Sequence, residues 1–116
     1  IGLNSGSDTK IIGNNILLTD GNGNWRDETG AINITAWYAN VTSAEVTNNW
    51  IGGGSYTFYV DEQSGKQVTN VTITNNTWYG VSPRGFALFG THLIRDSSSV
   101  TVFNGNKFEN GTAINK

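Results

Sequence analysis

The chain contains no cysteine and no methionine, only one proline and one histidine, and few charged residues. The absence of cysteine excludes a disulfide framework and a thiolate metal site. Seven Lys and Arg residues against nine Asp and Glu residues give a net charge of -2. A nucleic-acid ligand would need a dense basic surface, so this composition argues against one. No apolar run approaches the roughly 20 residues of a membrane-spanning helix, and we therefore expect no membrane insertion.

Glycine, asparagine, threonine and serine dominate the sequence, whereas alanine, leucine, glutamate and lysine are scarce. Such a composition disfavours helices and favours strands joined by turns. With 116 residues, the chain has the length of one small domain. The composition therefore predicts a single all-β domain.

One short motif occurs four times along the chain, at intervals of about 30 residues. Each copy begins with an apolar residue, has an asparagine at its fourth position and ends on a large apolar residue. The copies are Ile12–Leu17, Val46–Ile51, Ile73–Trp78 and Phe103–Phe108, and their fourth-position asparagines are Asn15, Asn49, Asn76 and Asn106. We interpret these four motifs as equivalent points of a repeating fold.

A second set of short apolar strands recurs with the same period between these motifs. Its members are Ile1–Leu3, Ile32–Ile34, Phe58–Val60, Phe86–Leu88 and Thr112–Ile114. Two strand families that share one period predict a solenoid. The predicted coils span residues 1–30, 31–55, 56–85 and 86–111, and residues 112–116 start another.

The recurring asparagine predicts a ladder of stacked side chains. Successive coils lie roughly 4.8 Å apart, so each amide can donate to one neighbour and accept from the other. Asparagine also tolerates the left-handed backbone that a sharp corner requires. The predicted ladder consists of Asn15, Asn49, Asn76 and Asn106.

The segments "VTITNNTW" (residues 71–78) and "GFALFG" (residues 85–90) resemble the right-handed parallel β-helix proteins of the pectate-lyase-like superfamily. The resemblance covers nearly the whole chain. It implies an all-β, right-handed parallel β-helix of about four coils with short strands around a core of stacked Ile, Val, Phe and Leu. An antiparallel sandwich is the alternative, because short strands with turn signals also build that fold.

Both ends of the chain lie on predicted strands without a polar or helical cap. Solenoids generally need such caps, and uncapped ends expose unpaired backbone groups. We therefore expect the chain to be a piece of a longer β-helix, or a homo-oligomer or part of an assembly in which other chains cover its ends.

The superfamily resemblance implies polysaccharide chemistry, in which lyases use aspartates on calcium and an arginine base. None of those motifs is present, so no catalytic residue can be transferred. If Val60 stacks on Leu88, four residues that are weaker candidates for acid–base catalysis would come together at one edge of the coil. These residues are Asp61, Glu62, His92 and Arg84. The alternative is a surface cluster of ion pairs.

The segment Asp20–Gly30 resembles the beginning of a calcium-binding loop. Its candidate ligands are Asp20, Asn22, Asn24 and Glu28, which occupy the first, third, fifth and ninth places of the EF-hand pattern. Trp25 replaces the glycine of the sixth place, and Ala31 replaces the closing glutamate. A solvated loop without an ion is the alternative, and the sequence calls for no other cofactor.

Several aromatic residues are candidates for a binding surface. Since Phe58 and Val60 point inward, strand alternation predicts that Tyr59 points outward, and the same reasoning places Phe89 beside it. The other candidates are Trp37, Tyr38 and Tyr79. An outward row of aromatic rings with polar neighbours suits sugar stacking or protein docking. The alternative is that loops fold over these rings.

Three functions remain open at this point. The first is a non-catalytic structural β-helix at the cell exterior or on a virion surface, like the β-helices of tail fibres and tail spikes. Its aromatic face would bind a polysaccharide, a cell-surface glycan or a protein partner. The second is a fragment of a polysaccharide lyase or glycoside hydrolase. The third is a domain that only assembles with itself. The second rests on the candidate acid–base residues, and in the third the outward aromatic residues serve only as a subunit interface.

Overall fold

The computed structural model describes residues 1–18 and 30–116. In this part of the chain it contains twelve β-strands and one short 3-10 helix, Ser97–Ser99. The strands are β1 (Gly2–Leu3), β2 (Gly6–Ile12), β3 (Asn15–Leu18), β4 (Ile32–Thr35), β5 (Val41–Thr47), β6 (Trp50–Gly53), β7 (Tyr56–Asp61), β8 (Val68–Thr74), β9 (Thr77–Trp78), β10 (Gly90–Ile94), β11 (Val100–Asn104) and β12 (Lys107–Phe108).

The strands form three four-stranded sheets. The first sheet has the order β1-β4-β7-β10, the second β2-β5-β8-β11 and the third β3-β6-β9-β12. Every pair of neighbouring strands in the sheets is parallel. Three consecutive strands, one from each sheet, therefore make one layer, and the layers stack in chain order. The prediction of an all-β parallel solenoid is confirmed, and the antiparallel sandwich is excluded.

The core consists of columns of apolar side chains that stack from layer to layer. In the first sheet Ile32 pairs with Phe58, and both side chains are fully buried. In the third sheet Ile51 pairs with Trp78, and these side chains are also fully buried. The alternation of parallel strands sends these positions inward and their chain neighbours outward. Burial of the columns supplies the main favourable free energy of folding.

The predicted stacking of Val60 on Leu88 is wrong. Val60 pairs with Ile94, and Phe58 pairs with His92, so the fourth strand of the first sheet lies later in the chain than predicted. The segment Phe86–Leu88 instead belongs to a turn region, in which the Phe86 N–H donates to the Tyr79 carbonyl at 3.2 Å. The turn buries Ala87 and leaves Phe86 exposed. Its sequence therefore has the apolar pattern of a strand, although no strand forms there.

The segment Thr112–Ile114 also differs from the prediction. Ala113 forms an antiparallel bridge with Lys107, next to the third sheet. The Ile114 N–H donates to the Asn106 carbonyl at 2.9 Å. The segment therefore does not belong to the strand family of Ile32–Ile34.

The sharp corner between the second and third sheets uses a left-handed residue in every layer. These residues have φ values between 55° and 68° and are Gly13, Asn48, Asn75 and Gly105. The N–H groups of Gly13, Asn48 and Asn75 donate to the next layer, as in the hydrogen bond of 3.2 Å from Asn48 to the Thr74 carbonyl. Glycine and asparagine adopt this conformation at the lowest cost. The first asparagine of each Asn-Asn pair at 48–49 and 75–76 thus makes the corner.

The residue after each corner forms the asparagine ladder. The Asn49 N–H and Nδ2 donate to Asn76 Oδ1 at 3.0 and 2.9 Å. The Asn76 N–H and Nδ2 donate in the same way to Asn106 Oδ1, both at 3.0 Å. All three side chains are buried, and the ladder satisfies their amides without water. The predicted ladder is confirmed for these three residues.

The first rung of the ladder is Asn14, and the prediction of Asn15 was wrong. The Asn14 N–H and Nδ2 donate to Asn49 Oδ1 at 2.8 and 3.0 Å. Asn15 is the first residue of β3 and pairs with Trp50. The error arose because Ile11, and not Ile12, stacks on Val46.

Candidate functional site

A groove of about 320 Å³ lies on the outer face of the first sheet. It crosses the first three layers of the solenoid. Its lining residues are Gly2, Asn4, Asn33, Thr35, Trp37, Tyr59, Asp61 and Gln63. The set combines two aromatic rings, which can stack on a ligand, with amide, hydroxyl and carboxylate groups, which can form hydrogen bonds with it.

The groove follows from the register of the first sheet. Asn33 pairs with Tyr59, and Thr35 pairs with Asp61. These positions alternate with the buried Ile32, Ile34, Phe58 and Val60, so strand alternation places them on the outer face. The prediction that Tyr59 points away from the core is confirmed by this register.

Asp61 is the centre of a hydrogen-bond network in the groove. Its Oδ2 accepts from the Tyr59 hydroxyl at 3.0 Å and from Gln63 Nε2 at 2.8 Å. Its Oδ1 accepts from the Glu62 N–H at 2.9 Å and lies 4.0 Å from Arg95 Nε. The proximity of Tyr59, together with the charge of Asp61, raises the pKa of Arg95 above its ordinary value. These contacts fix the carboxylate and the two neighbouring side chains before any ligand arrives.

The other end of the groove is also held in place by hydrogen bonds. The Thr35 hydroxyl donates to Asn4 Oδ1 at 2.7 Å. Asn33 Oδ1 accepts from the Gly30 N–H at 2.9 Å, and Asn33 Nδ2 donates to the Gly30 carbonyl at 2.8 Å. A preorganised polar surface lowers the entropic cost of binding.

Trp37 provides the most exposed aromatic surface of the groove, since 55% of the residue remains accessible. Its neighbour Tyr38 is 80% exposed and does not line the groove. The two residues therefore have different surroundings although they are adjacent in the chain. Of the five aromatic candidates predicted from the sequence, the structure brings Tyr59 and Trp37 together.

The remaining aromatic candidates lie elsewhere. Phe89 packs against Tyr56, with ring centroids 5.9 Å apart, and is not beside Tyr59. Tyr79 makes an edge-on contact with Trp50 at 5.5 Å, and its hydroxyl bonds to Asn15 Oδ1 on the third sheet. The pairing of Phe89 with Tyr59 failed because it depended on the wrong strand register. Trp50 and Tyr56 are two outward aromatic residues that the sequence analysis did not identify. Trp50 directly follows a ladder asparagine and Tyr56 begins a strand, and these positions could have indicated their direction.

The four acid–base candidates are not brought together. Asp61 lies in the groove, whereas Glu62 Oε1 accepts from the Val68 N–H at 3.2 Å. Arg84 Nη1 donates to the Leu88 carbonyl at 2.7 Å. The predicted proximity of Glu62 and His92 is wrong, because His92 stacks on Phe58 in a core column.

His92 occupies the last described position of that column. Its ring centroid lies 5.1 Å from that of Phe103, and its Nδ1 is 3.0 Å from the Thr91 hydroxyl. Burial lowers the pKa of His92 below its ordinary value, since an apolar environment disfavours the charged imidazole. His92 is therefore a half-buried residue at the end of a core column.

The position of His92 predicts a pH dependence of stability. The unfolded chain retains the ordinary pKa of about 6.5, so below that pH it binds more protons than the folded chain. The contribution of His92 to the free energy of unfolding is therefore fully present above about pH 6.5. It is lost as the pH falls toward and through the lowered pKa of the folded state. Urea unfolding between about pH 7.5 and about 5.5 should show this loss in the wild type and a flatter profile in His92→Phe. Equally steep profiles would contradict the assignment.

Neither a cluster of metal-ligating side chains nor a membrane-spanning helix is found in the part of the chain that the structure describes. Among residues 1–18 and 30–116, no group of three or more metal-ligating side chains is close enough to hold an ion. The calcium candidates Asp20, Asn22, Asn24 and Glu28 lie outside the described residues. Within the same described part, we find no helix whose length and hydropathy would let it cross a bilayer.

Comparison with known proteins adds no relative to these observations. No protein-family model, no curated protein and no solved structure matches the chain. The architecture is therefore defined by its own strand topology, that of a parallel β-solenoid.

Proposed function

We propose that the chain is a non-catalytic structural β-solenoid of the cell exterior or of a virion surface, and that it binds carbohydrate in the groove of the first sheet. The observation that carries the proposal is the combination, in one groove, of an exposed tryptophan with a fixed row of polar side chains. The extracellular or virion location rests on the resemblance to β-helix proteins that act there.

Trp37 would provide the stacking platform. A pyranose ring has an apolar face of C–H groups that packs against an aromatic ring, and tryptophan offers the largest such surface. The ring of Tyr59 forms a second apolar part of the groove, and its hydroxyl is directed to Asp61. This arrangement would hold a sugar along the strands' outer face.

The polar groups would bind the sugar hydroxyls. Asp61 and Gln63 offer a carboxylate acceptor and an amide at one end. Asn4 offers an amide at the other end, where the buried Thr35 hydroxyl holds it in place. The carboxylate favours a neutral or positively charged glycan over an acidic one, since like charges repel. A groove open to solvent suits a segment inside a longer polysaccharide as well as a chain end.

The same geometry favours binding over hydrolysis. Glycoside hydrolysis generally requires two carboxyl groups that face each other across the scissile bond. Among the described residues that line the groove, Asp61 is the single carboxylate. The nearby Glu62 is engaged with Val68 and with the Ser99 hydroxyl at 3.4 Å.

A glycan array on the purified protein, followed by titration of the strongest ligand, tests the proposal. We expect saturable binding to neutral or basic glycans, and a loss of affinity of about tenfold in Trp37→Ala, which corresponds to roughly 1.4 kcal/mol. Tyr38→Ala is the matched control, because Tyr38 is adjacent and exposed but lies outside the groove. Its affinity should remain within about twofold of the wild type.

Two results would refute a carbohydrate site in this groove. The first is the absence of saturable binding to any glycan on the array. The second is an equal loss of affinity in Trp37→Ala and Tyr38→Ala, which would indicate a general aromatic surface and not the groove.

A further inference from the structure

The segment formed by residues 112–116 folds back over the fourth layer of the solenoid. It pairs with β12 in the antiparallel direction through Ala113 and Lys107, whereas all neighbouring strands of the three sheets are parallel. The Phe108 N–H donates to the Thr112 carbonyl at 2.9 Å, so a tight turn joins the segment to β12. We call residues 112–116 the return segment.

Two side chains anchor the return segment. Ile114 is only 7% exposed and packs on the core cluster. Lys116 Nζ donates to the Ser97 carbonyl at 2.9 Å and to the Val100 carbonyl at 2.8 Å. The return segment thus crosses from the third sheet to the beginning of the second and covers the end of the apolar core.

This cover leaves much of the fourth layer open. Strands β10 and β11 stand at the edges of their sheets, each with one neighbouring strand. A cavity of about 320 Å³ lies between β10 and the return segment, lined by His92, Leu93, Ile94, Ser97 and Lys116. Open strand edges pair readily with another strand.

The asparagine ladder has a direction, and its two ends are complementary. At every described step, the N–H and Nδ2 of one asparagine donate to Oδ1 of the asparagine in the following layer. Within residues 1–18 and 30–116, the Asn106 N–H therefore has no acceptor and Asn14 Oδ1 has no donor. An Asn14 side chain placed above Asn106 would continue the ladder without a change of geometry.

The apolar columns are complementary in the same sense. At the first layer they begin with Leu3, Ile11 and Ile16, which all contact the core. At the fourth layer they end with Ile94, Phe103 and Phe108 in the corresponding positions of the three sheets. The first layer of a second copy would therefore set apolar side chains on apolar side chains in all three sheets.

We propose that the return segment is a detachable cap, and that its release lets the first layer of a second copy stack head-to-tail on the fourth layer of this one. The occupant is a second copy of this chain, because its first layer matches the fourth in strand direction, ladder polarity and column position. Such a contact is heterologous, so it continues into open stacks. It uses the ends of the solenoid and is independent of the groove on the first sheet.

Sedimentation velocity over a range of protein concentrations tests this proposal. The variant Ile114→Gly with Lys116→Ala removes both anchors of the cap. We expect it to form dimers and larger species with an association constant at least about tenfold above that of the wild type. Asn115→Ala is the matched control, because Asn115 is an exposed residue of the same segment, and it should sediment like the wild type.

A blocked variant separates head-to-tail stacking from non-specific association. Ile1→Lys places a charge on the first layer, at an exposed residue that directly precedes β1. Added to the released variant, it should abolish open stacks. The chain that carries all three substitutions has an open fourth layer and a blocked first layer, whereas the wild type has the reverse. A mixture of the two should therefore form dimers and nothing larger.

The proposal is overturned if the released variant is folded by far-UV circular dichroism and sediments like the wild type. It is also overturned if Ile1→Lys leaves the association of the released variant unchanged. Should the double substitution unfold the chain, Ile114→Ala provides the same comparison with a smaller perturbation, and the same two outcomes decide it.

Discussion

Replacement of Asn76 by alanine is expected to lower the free energy of unfolding by about 3–5 kcal/mol. The side chain lies in the middle of the ladder, where Oδ1 accepts from the Asn49 N–H at 3.0 Å and Nδ2 donates to the Val46 carbonyl at 3.0 Å. Each buried group left without a partner costs about 1–3 kcal/mol, and the missing side chain leaves a cavity as well. Since domains of this size have a total stability of about 5–15 kcal/mol, the loss is a large fraction of it.

Urea unfolding followed by circular dichroism measures this effect, and Asn14→Ala serves as the matched control. Asn14 occupies the same register at the exposed end of the ladder, and its backbone N–H keeps its bond of 2.8 Å to Asn49 when the side chain is removed. We expect that substitution to cost less than about 1 kcal/mol. Equal losses in the two variants would show that burial within the ladder does not determine its contribution.

Gly53→Ala is expected to destabilise the fold by about 3–5 kcal/mol, because an added Cβ would meet rigid backbone. Gly53 has a φ of 87°, and a Cβ at this position would lie 2.0 Å from the Leu18 carbonyl oxygen. The two strands that carry these residues, β6 and β3, are neighbours in the third sheet. Relief of the overlap would require them to separate.

The control for this substitution is Gly111→Ala. Gly111 has a φ of 86°, and an added Cβ there would have no atom within 4 Å. The strain of a left-handed alanine is therefore the same in both variants, and it costs about 1–2 kcal/mol. The difference between the two free energies of unfolding isolates the steric overlap, and a difference near zero would contradict the close approach of β3 and β6.

The solenoid was predictable from the sequence because its period appears in two independent sets of residues. The Asn-Asn pairs at 48–49 and 75–76 mark the corner and the ladder together, so those rungs were assigned correctly. The first rung was not, because the doublet Ile11-Ile12 allows either isoleucine to face the core. A shift of one residue exchanges the two faces of a strand, and the sequence alone does not choose between them.

The composition of the groove was predictable only in part. Tyr59 lies between two buried apolar residues of one strand, so alternation placed it outward. Trp37 lies in the loop after β4, where no period determines the direction of a side chain. The position of His92 in a core column was hidden because a polar residue there interrupts the apolar pattern, whereas Phe86–Leu88 imitates it.

The corner between the second and third sheets has the same construction in every layer, one left-handed residue followed by one ladder asparagine. The connections between the first and second sheets differ in length, at residues 4–5, 36–40, 62–67 and 95–99. An insertion in one of these connections changes only its own layer, because the next corner restores the position of the chain. The solenoid therefore confines a change of sequence length to the layer in which it occurs. The exposed turn at Ser64 and Gly65, in the connection 62–67, is the place where an inserted peptide should disturb the neighbouring layers least.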